Sequence, residues 1–161
     1  MRIYKSHDVL GVEIGGALKN IIAFCCGIVA ELGLGTNASS AIITRGLAEI
    51  ARLGVEMGAS KDTFYGLSGL GDLILTCSSD ESRNRRAGRL IGKGLSIDEI
   101  KKEIGMTIES IDNIEIAHRL AEKYNVEMPI VNSVYDVIFN NKPMTDVSNS
   151  LMTRTIKFEN E

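Results

Sequence analysis

Between Gly15 and Leu32 apolar residues recur at i, i+3, i+4 and i+7, through Leu18, Ile21, Ile22, Cys25, Ile28, Val29 and Leu32, while Ala23, Phe24 and Ala30 fill the other faces. A helix that is apolar nearly all round must be surrounded by other elements, so this spacing predicts a central helix with the rest of the chain packed about it. Its longest unbroken apolar run, Ile21 to Ala30, is closed by Lys19 and Glu31. That run is shorter than the roughly 20 residues a bilayer span needs. Met1 opens no basic stretch followed by an apolar core, so no secretory leader is read and the expectation is a soluble cytoplasmic protein.

Sixteen glycines and two prolines make glycine the main punctuation. A second helix is predicted over Asn37–Met57 through Ile42, Ile43, Leu47, Ile50, Leu53 and Val55, with Asn37 as its cap and Gly58 just past its end. A short helical stretch after Ser60 leads into a glycine loop, Gly66–Gly71, and a helical or turn-like piece, Asp72–Cys77. Ser82 then caps a basic helix reaching Gly92, and Ser96 with Glu99 forms a capping box for a helix stopping at Gly105. Glu109–Tyr124 carries Ile111, Ile114, Ala117, Leu120 and Ala121 on one face, Pro129 opens a helix reaching Phe139, and a last short helix is expected over about Asp146–Thr153. With no repeat, linker or low-complexity tract, residues 1–161 read as one all-α domain.

Eighteen Lys and Arg stand against 21 Asp and Glu, a formal charge of −3, which argues against nucleic-acid binding through bulk positive charge. Aromatics are 5% of the chain with no Trp, too few for base-stacking platforms. Cys25, Cys26 and Cys77 are odd in number, and the first two sit in an apolar run, so no disulfide framework is implied.

Four stretches could carry chemistry. Gly33-Leu-Gly35-Thr-Asn-Ala38 has the form of a dinucleotide fingerprint but follows a helical segment, and a helix-to-helix turn is the better reading. Lys19 interrupts the apolar helix one turn after Gly15 and Gly16, where small neighbours leave a recess; burial would make it a proton-exchanging amine, and snorkelling to solvent is the alternative. Asp72 is either the carboxylate opposite that lysine or a helix cap. Ser82-Arg-Asn-Arg-Arg86, with Arg89 behind it, is the one concentrated basic region, and its guanidinium forks with the neutral donors Ser82 and Asn84 suit a phosphate monoester. Pairing with neighbouring acids is the bland account of most of these arginines.

In order along the chain, Gly11-Val-Glu-Ile-Gly-Gly-Ala-Leu-Lys-Asn20, Gly69-Leu-Gly-Asp-Leu-Ile-Leu-Thr-Cys77 and Ser82-Arg-Asn-Arg-Arg86 resemble the C-terminal half of bacterial NAD(P)-dependent glycerol-3-phosphate dehydrogenases. Val126-Glu-Met-Pro-Ile130 adds to the likeness, which runs from about Val9 to near Arg154. The resemblance implies an all-helical substrate domain like the C-terminal domains of 6-phosphogluconate dehydrogenase-like enzymes. Such a domain packs against an N-terminal dinucleotide-binding domain, and the pair interconverts sn-glycerol 3-phosphate and dihydroxyacetone phosphate with NAD or NADP. It further implies Lys19 as the proton donor and acceptor, which also contacts substrate, Asn20 as a substrate neighbour, and Asp72 as the acid that orients lysine and substrate. Ser82, Arg83 and Asn84 match substrate contacts, with Arg83 also approaching the cofactor, and Thr107 and Glu109 match positions closing over the cofactor. None of these positions is a metal ligand, and the resemblance leaves room for a homodimer.

Ser110 stands where the family pattern has glycine, and Thr107 where it has an apolar residue. The dinucleotide-binding half is absent from these 161 residues, so the chain alone is expected to turn over negligibly. Two other readings remain at this stage. One is a domain of another lysine-dependent hydroxyacid dehydrogenase, in which lysine and asparagine lie one turn apart rather than adjacent. The other is a free-standing helical interaction or dimerisation module.

Overall fold

The structure, a computed structural model, describes residues 3–145. The helix expected over Asp146–Thr153 lies outside the described residues. The all-α expectation holds. The elements are α1 Val9–Glu31, α2 Gly35–Glu56, α3 Lys61–Phe64, one π-helical turn Leu67–Gly71, α4 Asp72–Ser78, α5 Arg83–Gly92, α6 Ile97–Ile104, α7 Glu109–Tyr124 and α8 Pro129–Phe139.

Helix α1 is the axis. Ile21, Ile22, Ala23, Phe24 and Cys26 are almost wholly buried, and α2, α4, α5 and α7 pack around it. It starts at Val9 rather than Gly15, because Asp8 Oδ1 accepts the Gly11 amide at 2.9 Å and satisfies a first-turn donor. The glycines at 11, 15 and 16 had masked that early turn. At its full length α1 is long and apolar enough to cross a bilayer, contrary to the reading from its shorter run; two thirds of its apolar window is buried inside the fold, as a core helix requires.

Helices α1 and α5 approach each other backbone to backbone. A Cβ on Gly27 would lie 2.0 Å from the Arg85 carbonyl oxygen, and one on Gly88 would lie 1.9 Å from the Phe24 carbonyl oxygen. Backbone therefore meets backbone, and only glycine allows it. This contact seats the basic helix against the helix that carries Lys19.

Two expectations need correction. Gly33 and Gly35 both have positive φ, 67° and 82°, and reverse the chain so tightly that α2 begins at Gly35, leaving Asn37 inside its first turn and not at its cap. The glycine stretch before Asp72 is a wide helical turn rather than a loop, closed by Gly71 N–H donating to Gly66 O at 3.2 Å. Its glycines let it lie on the Phe64 backbone, and it runs straight into α4. The other boundaries fall as the caps predicted. Ser82 and Ser96 cap α5 and α6, Gly105 and Asn125 end α6 and α7 in left-handed conformation, and Gly58 follows α2 at φ 102°.

One buried carboxylate shapes the far end. Glu49 of α2 is 1% exposed and accepts the Ile130 and Val131 amides of α8 at 2.8 and 3.3 Å. It does for α8 what a side-chain cap does for other helices. The three cysteines are free and buried. Burial pushes the Cys25 thiol up, and the hydrogen bond shared with Cys26, followed by burial, does the same to Cys77.

Candidate active site

Lys19 lies at the edge of α1 where α4 crosses it, and its Nζ is hydrogen-bonded to Asp72 Oδ2. The side chains are 20% and 35% exposed. The lysine is therefore neither sealed in the core nor extended into solvent; it is held at a boundary that a ligand can reach. Asp72 is the first residue of α4, preceded by Gly71, and its carboxylate faces the lysine instead of capping the helix. Thr76, one turn on, donates from Oγ1 to the Asp72 carbonyl at 2.7 Å, with Oδ1 lying 3.4 Å from the same hydroxyl. The sequence reading passed over Thr76, although its i+4 spacing from Asp72 was there to be seen. Gly16, one turn before Lys19 and Asn20, has nothing within 4 Å of where a Cβ would stand, so the surface beside the pair is open.

Asn20, 4% exposed, donates from Nδ2 to Glu109 Oε2 at 2.8 Å and to the Gly16 carbonyl at 3.3 Å. Asn113, also unpredicted, donates to the Ala17 carbonyl at 2.9 Å. These two bonds stitch the first turns of α7 to α1 on either side of Lys19.

The basic helix divides by role. Asp80 pairs with Arg85 and, at 3.5 Å, with Arg89, which is the structural account anticipated for most of the set. Arg83 instead donates from Nη1 to the Thr107 carbonyl at 3.1 Å. Asn84 is buried, and its Oδ1 accepts the Ser110 amide at 3.0 Å. Ser82 Oγ accepts the Arg85 amide at 3.3 Å, so its hydroxyl caps α5. Ser110, where glycine was expected, is fully buried, and its Oγ has no hydrogen-bond partner among the described residues.

The structure thus brings the predicted residues together in two groups joined by one segment. Lys19 and Asp72 form the first, Arg83 and Asn84 belong to the second, and Thr107–Ser110 touches Asn20 on one side and α5 on the other. Thr107 and Glu109 are exposed along this segment.

The described residues thus form an all-helical domain with a lysine–carboxylate pair at an open edge and a helix rich in guanidinium groups. Residues 8–149 match the family model described as NAD-dependent glycerol-3-phosphate dehydrogenase C-terminus, and the chain belongs to that family. It is 54% identical over 160 residues to the glycerol-3-phosphate dehydrogenase [NAD(P)+] of Bacillus cereus (strain AH187), covering 99% of this chain and 47% of that protein. The same identity is found to the enzyme of that name from Halalkalibacterium halodurans, over 99% of this chain and 46% of the relative. Among solved structures, the glycerol-3-phosphate dehydrogenase of Coxiella burnetii superposes with a TM-score of 0.91 at 42% identity, over 95% of this chain and 47% of that one. The Saccharomyces cerevisiae enzyme gives 0.79 at 36%, over 88% and 42%. The chain spans about half the length of the curated relatives it matches. These likenesses favour this family over the other lysine-dependent dehydrogenases and over an interaction module.

Proposed function

We propose that this chain is the substrate-binding and proton-transferring domain of an NAD(P)-dependent glycerol-3-phosphate dehydrogenase, working with a dinucleotide-binding domain to interconvert sn-glycerol 3-phosphate and dihydroxyacetone phosphate. The observation that carries the reading is the Lys19–Asp72 pair, formed between helices that nothing in their sequence spacing forces to meet. A bound nicotinamide supplies the hydride donor or acceptor. On oxidation the Lys19 amine takes the proton of the C2 hydroxyl, and on reduction the Lys19 ammonium returns a proton to the ketone oxygen. Asp72 holds the amine in place and offers the ammonium a counter-charge, so the proton moves at a fixed position. Arg83 and Asn84, at the start of α5, present N–H donors to the phosphate, and Ser82 stands beside them. Asn20, whose two amide protons are engaged by Glu109 and Gly16, has its carbonyl oxygen to offer a substrate hydroxyl.

The residues here fit the dinucleotide from one side only. Thr107 and Glu109 are exposed next to Arg83 and can close over it, whereas the described residues contain no strand–glycine loop–helix unit to cradle a pyrophosphate. The test is calorimetric titration of sn-glycerol 3-phosphate into the chain, with glycerol as the control. Arg83→Ala should weaken the phosphorylated ligand at least tenfold and leave glycerol unaffected. Equal losses for both ligands would return Arg83 to a structural role, and no binding of either would remove the reading.

A further inference from the structure

Helices α1 and α4 meet at two places. At the start of α4 the Asp72 carboxylate is hydrogen-bonded to Lys19, and in its last turn the Cys77 thiol donates a hydrogen bond to the Cys26 sulfur. Lys19 and Cys26 are about two turns apart on α1, and Asp72 and Cys77 about one and a half turns apart on α4, so both contacts belong to one helix pair. The proposed mechanism uses the first and leaves the second idle. Cys26 and Cys77 are 1% and 3% exposed and lie in the same apolar core. Cys25, the third thiol, precedes Cys26 directly, but adjacent residues of a helix do not face each other, so Cys77 is the partner that Cys26 can bond. The pair is polarised. The Cys77 hydrogen bond first, and then the Arg85 guanidinium, hold Cys26 below the usual thiol range against the opposing effect of burial, while the same bond holds Cys77 above it. One sulfur has thiolate character, and its neighbour stands within reach.

We propose that Cys26 and Cys77 form a redox latch, oxidised by hydrogen peroxide to a disulfide that ties α4 to α1 and resets Asp72 against Lys19. The Cys26 thiolate attacks one peroxide oxygen, the O–O bond breaks, and the hydroxide released takes up the proton that Cys26 gave up and leaves as water, giving a Cys26 sulfenic acid. The Cys77 sulfur then attacks the Cys26 sulfur, the S–O bond breaks, and the hydroxyl departs as a second water with the Cys77 proton. Two thiols give two electrons to one peroxide, and a dithiol reductant returns them. Access comes through α4, which has 7 residues, exposes Ile74 and Leu75, and closes its last turn with the Ser79 amide on the Leu75 carbonyl at 3.1 Å. A helix so short is marginal by itself and opens locally, which admits a molecule as small as peroxide. Drawing two sulfurs from non-bonded contact to about 2.05 Å moves the last turn of α4 by on the order of 1 Å. Asp72 rides on the same helix, and shifts of that size matter in a site that works by fixed position. The effect on binding rests on the proposed function; the disulfide does not.

The test compares the chain reduced, treated with a slight excess of hydrogen peroxide, and reduced again with dithiothreitol. Intact mass, amide hydrogen exchange and calorimetric titration with sn-glycerol 3-phosphate are measured on each. Oxidation should remove two hydrogens, a loss of about 2 Da, and leave one of the three thiols free. It should slow exchange in α4 and weaken sn-glycerol 3-phosphate by about tenfold, the worth of one charge-assisted hydrogen bond, and reduction should reverse every change. Cys25→Ala should still lose the two hydrogens and Cys26→Ala should not. Both variants replace a buried thiol by a methyl group, so a folding defect common to them cannot imitate that split. A treated chain that keeps its mass, or gains oxygen and stops there, would overturn the latch, as would loss of the two hydrogens in Cys26→Ala. A disulfide that leaves ligand affinity unchanged would overturn its action on Asp72. Failure of the reduced chain to bind ligand would strike the proposed function, while mass and exchange would still decide the latch.

Discussion

The backbone contact between α1 and α5 constrains this fold closely, and Gly88→Ala tests it. An added Cβ would lie 1.9 Å from the Phe24 carbonyl oxygen and 2.8 Å from its carbon. Ordinary heavy-atom contacts sit at roughly 3.5–4.0 Å, so the two helices must part by about 1.5 Å or bend. Neither obstacle is the end of a flexible side chain, since both atoms belong to a helix backbone whose hydrogen bonds resist displacement. Overpacking of this kind costs about 1–3 kcal/mol, and a rigid neighbour puts it at the upper end. Replacing glycine by alanine inside a helix returns about 1 kcal/mol through propensity, which leaves a net loss of about 2 kcal/mol. Gly16→Ala is the matched control: it lies inside α1 with nothing within 4 Å, so it receives the propensity gain without the clash. Urea unfolding followed by helical circular dichroism should lower the midpoint of Gly88→Ala by about 1 M, for a slope near 2 kcal/mol/M, and raise that of Gly16→Ala. If Gly88→Ala proved as stable as the parent, the α1–α5 approach described here would be wrong.

In a chain joined to the dinucleotide-binding half of the Bacillus cereus relative, Lys19→Ala should lower turnover by about a hundredfold to ten-thousandfold with a smaller change in KM; unchanged turnover would take Lys19 out of the chemistry. Glu49→Leu strands the Ile130 and Val131 amides without their acceptor and should cost on the order of 2–4 kcal/mol by urea unfolding, whereas Glu49→Gln, which keeps an acceptor oxygen, should cost clearly less. Asp8 is held below the usual carboxylate range by the Thr63 hydroxyl first and then by the Gly11 and Ser60 amides. A depressed folded pKa adds stability above the unfolded value and loses it as pH falls through the folded one. The stability gap between the parent and Asp8→Asn should therefore be widest near pH 6 and shrink below about pH 4, and a gap constant with pH would contradict the assignment.

What the sequence made legible was whatever is local. Helical period marked the long elements, and Ser82, Ser96 with Glu99, Gly105 and Pro129 marked their ends, because caps and breakers act within a few residues of themselves. The start of α1 was missed since three glycines dilute its periodicity while Asp8 supplies the cap that outweighs them. The π-helical turn was missed because three glycines in six residues look the same whether they form a loop or a widened helical turn. Asp72 was readable as a residue type and not as a role, since a cap and a partner use the same letter and only the crossing of α1 and α4 decides between them. Glu49, Asn113 and the hydrogen bonds to Thr107–Ser110 were beyond reach for the same reason: each joins residues more than twenty positions apart, and no period or motif reports such a pairing.

The placement of Lys19 follows from two opposed demands that the bundle satisfies together. A proton-transferring amine must keep a fixed position, which favours a rigid and buried host, yet an ammonium sealed among aliphatic side chains would shed its charge. Helix α1 meets the first demand, because nearly every other face of it is packed. It meets the second at one edge, where Asp72 provides a counter-charge and the small residues before Lys19 leave open surface. Rigidity comes from the residues on either side: Asn20 is bonded to Glu109, and the Ala17 carbonyl is bonded to Asn113. The same α7 turn that steadies the lysine is thus the turn gripped by Arg83 and Asn84 through residues 107 and 110. A displacement of α7 would disturb the surroundings of Lys19 and of Arg83 and Asn84 at once, so the residues proposed for proton transfer and those proposed for the phosphate stand or fall with the first turn of that helix.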